Sequence, residues 1–232
     1  MPAADLTVIV IANLATIDPW RLAHVIAADA LEGDKRLKPK LAPITEAEIK
    51  PIAGTWFNAE EPSLFDLAWK NGEAVVTQNG MPFVLGRRPG DWFGSERGSF
   101  EFMLKPGPKG AGGSTLRVDL GAGRVLSFKK LGKRKAVPAA LAGSYASADS
   151  GARWDITRKG ENWQAAISGP LIAGGPAWPV RGVDADTIET EMPGGWIQAT
   201  QLAHLVRDRS GRIEAIEVST GRIKKMRFER QA

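Results

Sequence analysis

The chain of 232 residues contains no cysteine. That excludes disulfide staples, thiolate-bound metal and a cysteine nucleophile, and it suits a reducing compartment. Histidine is nearly as scarce. His24 and His204 are the only two, and neither has a second histidine or a spaced carboxylate beside it in a zinc pattern. No metal and no cofactor are expected. Long apolar runs are missing too: Leu6 to Ile11 falls far short of the ~18 to 20 residues that a bilayer requires. Asp5 precedes that run where a signal peptide would be positive, and no small-residue cleavage site follows. The expectation is a cytoplasmic protein with no membrane partner. Nor is there a dominant charge of one sign, since 31 Lys and Arg face 26 Asp and Glu for a net +5. The basic excess gathers in Lys35–Lys40, Lys129–Lys135 and the tail at Lys224-Lys225. Such runs read as solvated linkers, so nucleic acid is not an expected partner.

What the chain does have is enough apolar content, 43%, to bury sizeable cores. Three segments follow one another. In residues 1–36, Leu6-Thr7-Val8-Ile9-Val10-Ile11-Ala12 is rich in β-branched residues and almost continuously apolar, which predicts a strand covered on both faces. Asp18 is placed to cap a helix with Pro19 at its first position, Leu22, Val25, Ile26 and Leu31 keep helical spacing, and Gly33 closes it. One strand and one helix make no domain, so this strand needs neighbours from elsewhere. Residues 37–135 form the first repeat with its linkers: after a linker Leu37–Lys50 the texture becomes short alternating strands separated by Asn71-Gly72, Asn79-Gly80, Pro89-Gly90, Gly107-Pro108 and Gly121-Ala122-Gly123. That spacing predicts an antiparallel sandwich or barrel.

The same texture returns over 136–232 as an internal repeat. Ala53-Gly54-Thr55-Trp56 reappears as Ala142-Gly143-Ser144-Tyr145, Phe65-Asp66-Leu67 as Trp154-Asp155-Ile156, and Lys70 as Lys159, all at one offset without a gap. Each copy ends on a strand with phenylalanine among basic residues, Leu126–Lys130 and Met226–Arg230. The repeated cores run roughly 48–132 and 138–232. Because both copies keep Gly54/Gly143 and Trp56/Tyr145, those residues read as fold builders.

No catalytic constellation emerges. Ser127-Phe128-Lys129-Lys130 matches Ser-x-x-Lys formally, but that chemistry needs both side chains on one helical face. This segment alternates as a strand, where residues three apart point to opposite faces. The glycine-rich run Gly107–Gly113 lacks the lysine of a phosphate loop and precedes a strand, so a hairpin loop is expected. The eight tryptophans fit core filling, a ligand-lined barrel interior or stacking on single strands. Trp196 stands apart, beside Met192-Pro193-Gly194-Gly195.

In order, these pieces resemble a known group. Asp5–Leu14 followed by Leu22–Leu31 is similar to the last strand and C-terminal helix of the penicillin-recognising serine hydrolases, the class C β-lactamase-like family. Leu141–Tyr145, Gly211–Val218 and Met226–Arg230 resemble the last barrel of the bacterial D-aminopeptidases in that family. The resemblance implies two tandem eight-stranded lipocalin-like β-barrels preceded by the end of a truncated catalytic domain. It also implies an upstream serine-hydrolase catalytic domain as partner, in the same gene or in a separate chain, and barrels that support a homodimer. The family's Ser-x-x-Lys, Tyr-x-Asn and His- or Lys-x-Gly motifs all lie upstream of the matched region. Tyr145 is followed by Ala146-Ser147, and neither histidine has glycine two residues on, so no catalytic residue carries over. By the same resemblance Met192, Pro193, Gly194, Gly195 and Trp196 correspond to a loop that restricts substrate access, shorter here than in the family. The expected function is the non-catalytic end of a serine D-aminopeptidase or related esterase, its barrels shaping the active-site entrance and supporting assembly. A second reading is a stand-alone tandem barrel that holds a small apolar ligand.

Overall fold

The computed structural model describes residues 6–11, 19–31, 41–78, 81–88, 90–95, 103–107, 114–119, 125–170, 175–194, 197–220 and 223–231. Its sixteen strands close into two antiparallel barrels of eight, each strand hydrogen-bonded to its neighbours in chain order. The first comprises β1 Gly54–Asn58, β2 Ser63–Lys70, β3 Glu73–Gln78, β4 Met81–Arg88, β5 Trp92–Ser95, β6 Met103–Pro106, β7 Thr115–Asp119 and β8 Val125–Lys130. The second comprises β9 Gly143–Ala146, β10 Arg153–Lys159, β11 Asn162–Ser168, β12 Trp178–Gly182, β13 Thr187–Gly194, β14 Ile197–Arg207, β15 Ile213–Thr220 and β16 Ile223–Arg230. The antiparallel expectation is thereby narrowed to closed barrels. Closure leaves no free sheet edge to manage along the ladder. Contacts divide the chain into two compact units, one dominated by each barrel.

Local chemistry explains the turns. Asn71 and Gly72 both take positive φ, 53° and 82°. That is the two-residue turn whose twist matches a hairpin, and Asn-Gly is its preferred pair. The equivalent turn in the second barrel is Gly160-Glu161, which lets Lys159 face Asn162 across the ladder. Inside the second barrel, alternate residues of each strand meet in one apolar cluster that includes Tyr145, Trp154, Trp163, Ile188, Leu205, Ile216 and Phe228. An eight-stranded barrel is narrow enough for side chains to fill.

Ahead of the barrels, α1 spans Pro19–Ala30 and begins on the expected proline. Asp18 and Gly33, the expected cap and stop, lie outside the described residues, as do Gly80, Pro89, Pro108 and Gly121–Gly123 among the turn signals. The expected strand is not formed. Leu6–Ile11 carries no strand assignment and belongs to neither barrel. A strand exists only where a neighbour accepts its ladder of N–H and C=O groups, and both barrels are already closed.

Candidate functional site

The repeated sequence motif builds one device twice. A single 3-10 turn, Lys50–Ile52 or Ala139–Leu141, precedes the first strand of each barrel. The aromatic that follows reaches back to it: Trp56 Nε1 donates to the Ile52 carbonyl at 2.8 Å, and Tyr145 Oη donates to the Leu141 carbonyl at 2.9 Å. Both rings are fully buried. Burial pushes the Tyr145 hydroxyl above the usual tyrosine value, with the Arg230 charge opposing it. Next to the aromatic, the Thr55 hydroxyl donates to Asp66 in the first barrel and the Ser144 hydroxyl to Asp155 in the second. The conserved offset between Gly-Thr-Trp/Gly-Ser-Tyr and the following Asp is therefore a strand-to-strand hydrogen bond.

The last strand of each barrel supplies the final piece. Lys130 Nζ stands 5.8 Å from the Trp56 ring centre, and the Arg230 guanidinium stands 5.5 Å from that of Tyr145. Gly54 and Gly143 make this approach possible. A Cβ at either would come within 3.0 Å of the cation's side chain, and their φ values of +126° and +150° disfavour any side chain. Arg230 also donates to the carbonyls of Ala142 at 2.6 Å, Ala140 at 2.8 Å and Ile213 at 3.4 Å, and to Tyr145 Oη at 3.0 Å.

Burial pushes the Asp155 carboxyl upward, but hydrogen bonds from Ser144 and Arg153 and the Arg153 charge outweigh it, so the group sits below its ordinary value. A lowered value means stability present above the unfolded value of 3.8 and lost as pH falls through the folded one. Asp155→Asn is therefore expected to lose less stability than the parent between about pH 5 and pH 2. Thermal melts across that range check this, and parallel curves would contradict it.

A second device went unread in the sequence. The segment leading into each barrel is laid across that barrel's fourth strand at a glycine. Ala42 and Arg87 exchange backbone hydrogen bonds at 3.2 and 2.8 Å, and a Cβ on neighbouring Gly86 would lie 2.4 Å from Leu41 Cβ. Glu48 of the short helix α2, Glu46–Ile49, pairs with the Arg87 guanidinium. In the second barrel a Cβ on Gly182 would lie 2.0 Å from the Lys135 carbonyl oxygen. Arg134 Nη1 reaches the Gly182 carbonyl at 3.5 Å, and the Glu189 carboxylate at 2.9 Å. The basic run 129–135, expected as a solvated linker, is thus anchored at Arg134. The only sequence signals were a lone glycine in each fourth strand and a buried-strand glutamate.

The segment expected to restrict substrate access is partly strand. Met192, Pro193 and Gly194 belong to β13, opposite Ala199, Gln198 and Ile197 of β14. Gly195 and Trp196 lie outside the described residues. The expectation of a loop over 192–196 is corrected to strand up to Gly194. β13 pairs with β12 only over Ile188–Thr190, and β14 pairs with β15 only from Leu202 onward. Among the described residues, the stretch beyond Thr190 and Gln201 is therefore a two-stranded arm running past the ladders on either side. A proline is tolerated there because such a strand has one hydrogen-bonding neighbour rather than two.

The remaining candidates fall apart as sites. Ser127 and Lys130 lie on β8, a strand, and Lys130 is committed to the Trp56 ring. Pro106 faces Leu116 across the antiparallel pair β6 and β7; of the glycine-rich run, Pro108–Gly113 lie outside the described residues. His204 is exposed on β14 between Thr187 and Glu217. With Asp184, Asp186 and Lys225 these three give the polar lining of an open groove of about 420 Å³. No group of three or more potential ligands that could hold a metal ion occurs among the described residues. Nor is any helix among them long and apolar enough to cross a membrane. His24 lies on α1.

Fold and geometry together define a protein of two tandem closed antiparallel barrels, each locked at one end by an aromatic, a 3-10 turn and a terminal cation. No family model matches the chain, and no curated protein matches it.

Proposed function

We propose that the chain is the non-catalytic C-terminal part of a cytoplasmic serine hydrolase of the D-aminopeptidase kind, with residues 6–30 docking onto the catalytic domain. One observation carries this reading. Ile9 and Ile11 are 78% and 93% exposed, and Leu22, Val25 and Ile26 of α1 are between 42% and 57% exposed. A β-branched segment with exposed isoleucines, followed by a helix whose apolar residues are exposed, has the composition of an element meant for a covered sheet. The serine, tyrosine and histidine or lysine of acyl transfer then come from the partner domain. The barrels contribute shape, with the β13–β14 arm as the part that extends toward the active-site entrance. In the second barrel the interior is occupied by side chains, which favours this role over storage of an apolar ligand there.

The chain alone is expected to release no product from D-alanine p-nitroanilide. Mixed with a family catalytic domain that lacks its last strand and helix, it is expected to bind and to restore turnover. The double variant Val25→Glu/Ile26→Glu should weaken that binding at least ~100-fold, because two charges would have to be buried. Turnover by the isolated chain, or binding indifferent to these charges, would overturn the proposal.

A further inference from the structure

The second lead-in segment, 131–137, is held by a buried carboxylate. Ile188 faces the barrel core, so the alternation of β13 points Glu189 outward, yet Glu189 is only 4% exposed. Arg134 grips it with both terminal nitrogens, Nη1 to Oε1 at 2.9 Å and Nη2 to Oε2 at 3.3 Å. Arg181 faces Glu189 in register from β12, with Nη1 3.6 Å from Glu189 and 3.3 Å from Glu191. On the other side β14 offers Leu202, which is apolar, with His204 the nearest titratable residue along that strand, opposite Thr187. The remaining strap is exposed between Gly132 and Ala136, and Val137 packs at the edge of the core cluster. Arg134 is thus the one charged side-chain anchor described along the strap, whose backbone at Lys135 also lies against Gly182.

We propose that Arg134 and Glu189 form a proton-released clamp: ionised Glu189 holds the strap 132–136 on β12 and β13, and protonation sets it free. Burial pushes the Glu189 carboxyl above its ordinary value, against the pull of Arg134 and Arg181 and with the push of Glu191. Glu189 therefore takes up its proton before exposed carboxylates do. Once neutral, it has no charge to hold a guanidinium that already meets water. The sign of the linkage separates release from unfolding. A raised folded value means that this group's stabilising contribution is complete below the unfolded value of 4.5 and is lost as pH rises through the folded one. Mild acid loosens the strap while the barrel gains stability from this group. A buried ion pair often adds little net stability, which is consistent with a switching role.

The test is a side-chain NMR titration of the full chain from about pH 8 to pH 4, following the Glu189 carboxyl carbon and the Arg134 Nε–H and Nη groups. Both are expected to move together with a midpoint above 4.5, and Arg134 guanidinium rotation should quicken at least ~10-fold on the acid side. Glu189→Gln should show the fast state at neutral pH with an undiminished melting temperature. In that variant trypsin should cut after Arg134 ~10-fold faster than in the parent at pH 8. Glu189 titrating at or below 4.5, Arg134 signals indifferent to its protonation, or equal cleavage rates would each overturn the clamp.

Discussion

Replacing Arg230 with alanine is expected to destabilise the second barrel by about 2–4 kcal/mol. The side chain joins three separated pieces of chain: the 3-10 turn through Ala140 and Ala142, the first strand through Tyr145, and β15 through Ile213. A hydrogen bond from a charged donor is worth roughly 1.5–3 kcal/mol net, and partial exposure lowers the sum. Removing the donor also leaves carbonyls at the barrel end to find water. Arg230→Lys should recover only part of the loss, since an ammonium cannot serve divergent acceptors as a planar fork does. The equivalent Lys130→Ala should cost less, about 0.5–1 kcal/mol, because Lys130 contributes a contact with the Trp56 ring. Urea unfolding, with amide exchange to assign the loss to β9 and β16, makes the comparison. Equal costs at the two positions would contradict this account of the lock.

A larger loss, about 3–5 kcal/mol, is expected for Trp154→Ala. The indole is 2% exposed and meets Phe228 edge-on at 6.2 Å between ring centres. Truncation removes its transfer free energy and leaves a cavity that closed strands cannot easily collapse around. The same change at Trp178, which is only half-buried on β12, should cost below about 1.5 kcal/mol. If the variant retains its fold, the vacated interior should also bind a small aromatic that the parent does not bind, as dry apolar cavities do. A Trp154→Ala variant as stable as the parent would mean that the interior is not packed as described.

How far the sequence foretold the molecule depended on whether the signal was local. Asn71-Gly72 and Pro19 act within a few residues, so the hairpin and the helix start were legible. The gapless repeat was legible because Thr55–Asp66 and Ser144–Asp155 must keep one register across adjacent strands. Closure of each sheet into a barrel was expected from the family resemblance and not from local signals, since nothing in β1 announces that β8 will pair with it. The Leu6–Ile11 strand failed for the opposite reason. Its β-branched composition is a strong preference, but strand formation requires a ladder with a neighbouring strand, and no strand is assigned over 6–11. Met192–Gly194 looked like loop because Pro-Gly-Gly usually breaks strands, and only the register shows an arm where one neighbour is enough. The Arg134–Glu189 pair was hidden because it joins residues 55 apart in sequence.

The lead-in segments bear on where this protein can be divided. Each barrel carries, lying on its fourth strand, a stretch that precedes its own first strand by several residues. The repeated structural unit is therefore longer than the ladder it encloses. A cut made at Gly143 would preserve all eight strands of the second copy while stripping the bare backbone of Gly182 of its cover and leaving Glu189 without Arg134. A cut before Leu131 keeps both.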